Sequence, residues 1–158
     1  MKKCIGDHEF KFVGTIEPER DDSGIRRFLP QPQYGNDEGL SLHSSGIGPF
    51  CQFRVENANA SAGVYIITVD GIIQYVGKTS DLRKAINNQL GHISPSDCYV
   101  GGQLTNCRIN GLIMYSANKE QKIELWFLET ENMHSTKVET IDSCAPAWNT
   151  SKYKHRLD

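Results

Sequence analysis

The sequence predicts an α/β protein of the α+β type, with a small, mainly antiparallel sheet of three strands flanked by helices. Two runs rich in β-branched and aromatic residues, GVYIITV (63–69) and IIQYV (72–76), are separated by the dipeptide DG. That dipeptide between two apolar runs is typical of a two-residue hairpin turn. Helical and strand patterns then alternate to the end of the chain, so the hairpin is predicted to form part of a mixed fold.

The segment TSDLRKAINNQL, which follows the hairpin, predicts an amphipathic helix of about three turns. Leu82, Ile86 and Leu90 are spaced four residues apart and therefore share one helical face. Thr79 or Ser80 is a suitable N-cap because a hydroxyl oxygen can accept a free backbone N–H of the first turn.

Three further elements complete the predicted core. The segment TNCRINGLIMYSAN (105–118) indicates a second helix, and KIELWFLET (122–130) indicates a third strand. A third helix is predicted over STKVETIDSC (135–144), with Ser135 or Thr136 as its N-cap.

The predicted organisation is one domain with extensions at both ends. Residues 1–62 combine turn-rich segments with short apolar pieces and are expected to form an N-terminal extension of short strands and loops. Residues 63–150 form the predicted core, and residues 151–158, SKYKHRLD, form a basic C-terminal tail.

Composition narrows the possible classes of protein. The chain has 158 residues and a formal net charge of −2, so its overall charge does not indicate a nucleic-acid partner. Any binding of a polyanion must therefore come from a local arrangement of basic residues. No apolar run is long enough for a membrane helix, and the N-terminus lacks a signal peptide, so we expect a cytoplasmic protein. The five cysteines are scattered without a C-x-x-C pair, which favours reduced thiols over a zinc site.

The order of motifs along the core suggests a function. The tripeptide GVY (63–65) precedes YVG (75–77) by nine residues, a helix follows, Glu139 lies on the third predicted helix, and Asn149 follows PAW. On composition alone, both tyrosines would be half-buried strand residues. In this order and spacing, residues 60–150 resemble the GIY-YIG nuclease superfamily, and most closely its restriction-endonuclease members.

The resemblance implies hydrolysis of DNA phosphodiester bonds, which requires an activated water, neutralisation of charge at phosphorus and help for the leaving oxygen. It implies that Glu139 binds one divalent metal ion and that Tyr65 is the general base. A lone carboxylate suits Mg²⁺ or Mn²⁺. Tyr75 would be a second contact to phosphate or water. Lys78 could hold a phosphate or lower the pKa of Tyr65, as a tyrosine base near neutral pH requires.

Two further residues have supporting roles under this resemblance. Gly77 is expected to let the backbone turn close to a phosphate at the junction of strand and helix. Asn149 matches the late asparagine of the superfamily and is expected to brace the site.

The sequence departs from the superfamily at position 85. The superfamily has an arginine eight residues after the glycine of YVG, and here that position is Ala85. Three explanations are open: an engineered inactive variant, a transfer of the function to Arg83 or Arg108, or a natural protein that binds DNA without cleaving it.

Contacts to DNA outside the catalytic centre are predicted mainly in GGQLTNCRIN (101–110). Its side chains include types that read base edges or hold phosphates, namely Gln103, Asn106, Arg108 and Asn110. The alternative is a polar loop with a helix N-cap at Thr105 or Asn106. Arg26 and Arg27 are weaker candidates for phosphate contacts.

The sequence therefore predicts a divalent-metal-dependent endonuclease of restriction type, which would act on double-stranded DNA. The N-terminal extension is expected to complete the DNA cleft or a subunit interface. Because enzymes that cut symmetric sites often act as dimers, we expect a homodimer or higher homo-oligomer. The alternative is a non-cleaving DNA-binding module with a decayed nuclease site, and an excision-repair enzyme is disfavoured because the chain has little room for damage-recognition segments.

Overall fold

The computed structural model describes residues 1–149, so the predicted basic tail at 151–158 lies outside the described residues. The strands are β1 (Lys2–Ile5), β2 (His8–Thr15), β3 (Arg20–Asp21), β4 (Gly24–Ile25), β5 (Gly63–Val69), β6 (Ile72–Thr79) and β7 (Ile123–Glu129). The helices are a π helix (Lys84–Leu90), α1 (Leu104–Asn118) and α2 (Met133–Cys144), with 3-10 turns at Gln31–Gln33 and Pro95–Cys98. Within these residues, no helix is long and apolar enough to cross a membrane.

The main sheet is antiparallel and has five strands in the order β1-β2-β7-β5-β6. The predicted α+β class is confirmed, and the three strands predicted for the core are present as β5, β6 and β7. The sheet is larger than predicted because the N-terminal hairpin of β1 and β2 pairs with β7. Strand β5 is therefore flanked on both sides, by β6 and by β7.

The chain divides into two compact units that alternate along the sequence. The sheet unit comprises Met1–Ile16, Val55–Arg83 and the described part of Lys122–Asp158. The helical unit comprises Glu17–Arg54 and Lys84–Gln121. The predicted boundary at residue 62 lies inside the segment Val55–Arg83 of the sheet unit.

The turn between β5 and β6 has the geometry that its sequence predicts. Asp70 has a φ of 50° and Gly71 a φ of 82°. A type I′ turn requires positive φ at both central residues, which asparagine, aspartate and glycine adopt most readily. The predicted hairpin is confirmed, with Tyr65 of β5 opposite Gly77 of β6.

The two faces of the sheet carry different side chains, because successive residues of a strand point to opposite faces. On one face, called here the α2 face, apolar strand residues pack against α2; they include Val64, Ile66, Val76, Phe10 and Trp126 from the sheet and Met133, Ile141 and Cys144 from α2. Tyr65, Tyr75 and Gly77 alternate with these residues and therefore lie on the opposite face, called here the tyrosine face.

The segment predicted as the first helix contains a π helix, in which backbone hydrogen bonds reach five residues back. The N–H of Gly91 donates to the carbonyl oxygen of Ile86, at 2.7 Å. Leu82, Ile86 and Leu90 are buried, with exposed fractions of 1%, 0% and 3%, so the predicted apolar face is confirmed. At the predicted cap, Thr79 Oγ1 accepts the N–H of Asp81 at 3.0 Å.

Helix α2 begins two residues earlier than predicted. Its N-cap is Asn132, and the predicted caps Ser135 and Thr136 lie in its first turn. Ser135 Oγ donates to the carbonyl oxygen of Asn132 at 3.3 Å, so that hydroxyl is used inside the turn. The predicted N-cap of α2 is therefore wrong, because the hydroxyl residues follow the start of the helix.

Candidate functional site

Two buried tyrosines form the centre of the candidate site in the sheet unit. Tyr65 and Tyr75 are 8% and 9% exposed, and their ring centroids lie 6.0 Å apart with an angle of 49° between the ring planes. The two residues come from neighbouring strands and share the tyrosine face.

Gly77 is the residue that makes room for Tyr65. A Cβ atom built on Gly77 would lie 2.4 Å from Tyr65 Cζ and 2.5 Å from Tyr65 Oη. Both distances are far inside van der Waals contact, so any larger residue would displace the ring. The glycine of YVG therefore has a direct role in holding the hydroxyl of Tyr65 against the backbone of β6.

The pKa of the Tyr65 hydroxyl is raised well above its usual value. Burial is the main cause, and the charge and hydrogen bond of Tyr75 raise the pKa further, because each disfavours the phenolate. A lowering of the Tyr65 pKa was one of the two roles considered for Lys78, and the pKa shifts in the opposite direction. Lys78 is not among the causes of the shift, because it alternates with Gly77 and lies on the α2 face.

Asn149 braces β6 next to the tyrosine pair. Its Oδ1 accepts the N–H of Val76 at 2.9 Å, and its Nδ2 donates to the carbonyl oxygen of Val76 at 2.8 Å. Asn149 is 5% exposed, so both hydrogen bonds are shielded from water. Since Val76 lies between Tyr75 and Gly77, these bonds fix the part of β6 that supports the pair, as predicted for a bracing residue.

Glu139 lies on α2, on the opposite face of the sheet from the tyrosine rings. Its Oε2 is 2.6 Å from His8 Nε2, and its side chain is 63% exposed. His8 was not singled out from the sequence, because nothing local links the first residue of β2 to a helix 131 residues later. The described residues contain no group of three or more His, Cys, Asp or Glu side chains that could hold a metal ion. A metal ion on Glu139 stays a prediction.

Lys78 belongs to a group of basic side chains that sequence reasoning missed. Its Nζ is 3.5 Å from His134 Nδ1, in the first turn of α2. One turn later, Lys137 is half-buried, and burial and the positive charge of Lys78 lower the pKa of its ammonium group. The i, i+3 spacing of His134 and Lys137 indicates a shared helical face, but the sequence does not show which strand that face meets.

Position 85 lies in the π helix of the helical unit, where Ala85 is half-buried. Arg83, one possible replacement for the missing arginine, lies in the sheet unit. Its Nε donates to the carbonyl oxygen of Ala58 at 3.1 Å, and its N–H donates to the carbonyl oxygen of Asn59 at 2.9 Å. Part of the Arg83 guanidinium is thus used in anchoring its own segment of chain.

Asn110 was predicted to contact DNA, and that prediction is wrong. It is 0% exposed in the helical unit. Its Oδ1 accepts the N–H of Cys51 at 3.0 Å, and its Nδ2 donates to the carbonyl oxygens of Cys51 and Leu90 at 2.9 and 2.8 Å. An asparagine amide can bind the edge of a base, but the amide of Asn110 instead joins α1 to the backbone at Cys51 and at Leu90.

The other polar residues of this segment are more accessible. Gln103 is exposed and is the N-cap of α1. The alternative prediction of an N-cap at Thr105 or Asn106 is therefore wrong, because both residues lie inside the helix. Asn106 is half-buried. Arg108 is also half-buried and lines a groove of about 380 Å³ together with Ser44 and Ser45.

Arg26 and Arg27 differ in their surroundings within the helical unit. The Arg26 guanidinium stacks over the ring of Phe28 at 4.9 Å, and its Nη1 lies 3.3 Å from Glu19 Oε2. Arg27 is exposed and lines a groove of about 440 Å³ together with Arg20. Arg27 is therefore the better placed of the two for a phosphate contact.

The predicted site residues thus occupy three environments. Tyr65, Tyr75 and Gly77 lie together on the tyrosine face, with Asn149 bonded to the backbone of β6, whereas Lys78 and Glu139 lie on the α2 face. The remaining predicted residues except Arg83 belong to the helical unit. Comparison of the chain with models of protein families, with curated proteins and with solved structures found no match.

Proposed function

We propose that this chain is a DNA endonuclease of the GIY-YIG type, which hydrolyses phosphodiester bonds of double-stranded DNA and depends on Mg²⁺ or Mn²⁺. The order of elements supports the proposal: a hairpin with GVY and YVG on its strands, then helical segments, a third strand beside β5 and a final helix. The proposed quaternary structure is a homodimer, which light scattering on the purified protein would test.

The single observation that carries the proposal is the packing of Tyr65 against Gly77, with Tyr75 beside it. Core packing alone does not explain a hydroxyl held over a glycine, since phenylalanine or leucine fills apolar space without a polar atom to satisfy. A hydroxyl in this position is suited to orienting a water molecule or a phosphate oxygen. With its raised pKa, Tyr65 is protonated near neutral pH, so it would act as a hydrogen-bonding group and not as the general base.

The metal ion fits the residues only in part. The exposed carboxylate of Glu139 is a hard oxygen ligand of the kind that Mg²⁺ prefers. However, it is bound to His8 and lies across the sheet from the tyrosine pair. The proposed assignment of Glu139 as the metal ligand therefore depends on the resemblance.

A second candidate function is a DNA-binding module that does not cleave. Three observations favour it: Ala85 supplies no cation, burial raises the pKa of Tyr65 where a general base needs a lower one, and Glu139 is engaged with His8. Such a module would use its remaining basic residues to hold the DNA backbone and would require no metal ion.

The experiment that separates the two candidates restores an arginine. The parent chain and the Ala85→Arg variant are incubated with a varied panel of plasmids and Mg²⁺ or Mn²⁺, and any ends are sequenced. Ala60→Arg is the matched control, because Ala60 is exposed and the substitution adds the same charge. A restored transition-state contact raises the cleavage rate by about 100-fold or more, and Tyr65→Phe or Glu139→Gln in the same background abolishes the gain.

The outcomes discriminate clearly. Metal-dependent cleavage with Ala85→Arg, and none with Ala60→Arg, supports the endonuclease. Intact plasmid together with metal-independent DNA binding supports the non-cleaving module. If neither variant cleaves and the parent chain does not bind DNA at any salt concentration, both candidates are refuted.

A further inference from the structure

An open cleft of about 520 Å³ lies over β2 and β7 in the sheet unit. Residues of these two strands and of the segment before β5 line it, and all of them belong to the sheet unit. The lining includes Glu9, Lys11, Asn57, Asn59, Phe127 and Glu129. This space is called here the β2–β7 cleft.

Lys11 lies in the same cross-strand row as Tyr65. Lys11 is directly opposite Phe127, and Phe127 is directly opposite Tyr65. Residues that are opposite each other share a face of the sheet, so Lys11 projects from the tyrosine face. Two strand spacings separate the Cα atoms of Lys11 and Tyr65, a distance of about 10 Å. A DNA strand held at Tyr65 would therefore bring another of its groups to Lys11, whereas Lys78 lies on the α2 face.

The ring of Phe127 is displaced away from Lys11, and this leaves space between them. A Cβ atom built on Gly63 would lie 2.7 Å from Phe127 Cζ, so the ring lies over Gly63. Gly63 belongs to β5, and β7 lies between β5 and β2. Phe127 is 7% exposed, so its ring is a fixed apolar surface at the base of the cleft.

The two ends of the β2–β7 cleft have opposite charge. Lys11 is exposed and forms no ion pair with a carboxylate of residues 1–149, while Glu9 lies 3.1 Å from Lys2. Glu129 is also exposed and has no ion pair within the same residues. It follows Phe127 by two positions, which is about 7 Å further along β7. The cleft therefore has a cationic donor at one end and a carboxylate acceptor at the other.

A nucleotide has the matching polarity. Its phosphate accepts hydrogen bonds from an ammonium group, and the amino groups of adenine, cytosine and guanine donate to acceptors such as a carboxylate. The base and sugar between these ends can contact the apolar surface of Phe127, and the amides of Asn57 and Asn59 supply further donors and acceptors. Inorganic phosphate would use only the Lys11 end.

We propose that the β2–β7 cleft binds one nucleotide of the DNA strand held at the tyrosine pair, with its phosphate at Lys11 and the amino group of its base at Glu129. This inference rests on the proposed function in so far as the nucleotide belongs to DNA. Thymine has no amino group, so the cleft discriminates against it. The cleft thus supplies both a phosphate contact and a base preference beside the candidate site.

The first test measures the binding of small ligands without DNA or metal. NMR titration compares deoxycytidine monophosphate, thymidine monophosphate and deoxycytidine, which lacks the phosphate. The parent chain binds the first of these most tightly, by about five-fold or more over thymidine monophosphate. Lys11→Gln removes the advantage over deoxycytidine, and Glu129→Ala removes the advantage over thymidine monophosphate.

Matched controls remove the same charges outside the cleft. Lys119→Gln and Glu131→Ala change exposed residues that do not line it, and both keep the two preferences. Lys11 and Glu129 are exposed as well, so urea unfolding should show that their variants are folded.

The second test measures DNA binding without metal, by fluorescence anisotropy at several salt concentrations. Loss of one phosphate contact lowers the slope of log affinity against log salt by about 0.9, and we expect this decrease for Lys11→Gln. Glu129→Ala should reduce the difference in affinity between DNA sequences, and Glu131→Ala should not.

The results separate this inference from the proposed function. If the parent chain binds DNA and Lys11→Gln binds with the same affinity and salt slope, the cleft is not a DNA contact, while the proposed function stands. Binding of the single nucleotides without binding of DNA would keep the nucleotide site and overturn its assignment to DNA. Equal affinity of the parent chain for all three small ligands would overturn the site itself.

Discussion

Replacing Gly77 by alanine tests the packing on which the candidate site depends. The new Cβ would lie 2.4 Å from Tyr65 Cζ, and the ring has little space to move because Tyr65 is 8% exposed and contacts Tyr75. Forcing an extra carbon into a packed site costs about 1–3 kcal/mol. Loss of glycine flexibility in the unfolded chain offsets about 0.4–1 kcal/mol of that. We therefore expect a net destabilisation of about 1–2 kcal/mol.

The assay is urea unfolding of a double-mutant cycle. Tyr65→Ala alone is destabilising by about 3–5 kcal/mol, because it leaves a cavity. Once the ring is absent, Gly77→Ala has nothing to collide with, so the double variant is more stable than the sum of the single effects predicts. Gly111→Ala is the control, since a Cβ atom built on Gly111 has no neighbour within 4 Å. This substitution should raise the free energy of unfolding by up to about 1 kcal/mol, because alanine favours a helix more than glycine does. Strict additivity between positions 65 and 77 would refute the packing argument.

Two other predictions concern buried polar groups. Asn110→Ala should lower the free energy of unfolding by about 2–5 kcal/mol, because it leaves the N–H and carbonyl of Cys51 without their partner in the interior; urea unfolding measures this, and a change below about 1 kcal/mol would contradict the bracing role. In an alkaline titration followed by the absorbance of phenolate, Tyr65 should ionise after the exposed Tyr115, and Tyr65→Phe should remove that late step. Because its folded-state pKa lies above the unfolded value, Tyr65 contributes stability that is fully present below about pH 10 and is lost as the pH rises through the folded pKa. A late step that persists in Tyr65→Phe would belong to another group.

Local chemistry explains why much of the sheet unit could be predicted. The turn at Asp70 and Gly71 needs positive φ at both residues, and few dipeptides other than DG allow it. The apolar face of Leu82, Ile86 and Leu90 was also predictable, since spacing alone selects it. Their π-helical winding was not, because a spacing of four residues suits either kind of helix.

Long-range contacts explain the errors. Asn110 has the side chain of a DNA-contacting residue, and only the approach of Cys51 shows that its amide is used inside the protein. Likewise, Glu139 follows the spacing of a catalytic acid, but its position across the sheet from Tyr65 depends on which face α2 covers. Residue types report which hydrogen bonds are possible, and the tertiary structure decides which ones form.

The pairing of the N-terminal hairpin with β7 has a consequence for the handling of this protein. Without β1 and β2, the backbone of β7 would present unpaired N–H and carbonyl groups along the apolar segment IELWFLE. An exposed apolar edge of this kind is a template for pairing with other chains, and so for aggregation. The first sixteen residues carry none of the motif. By covering the edge of β7, they nevertheless protect the sheet that carries it from aggregation.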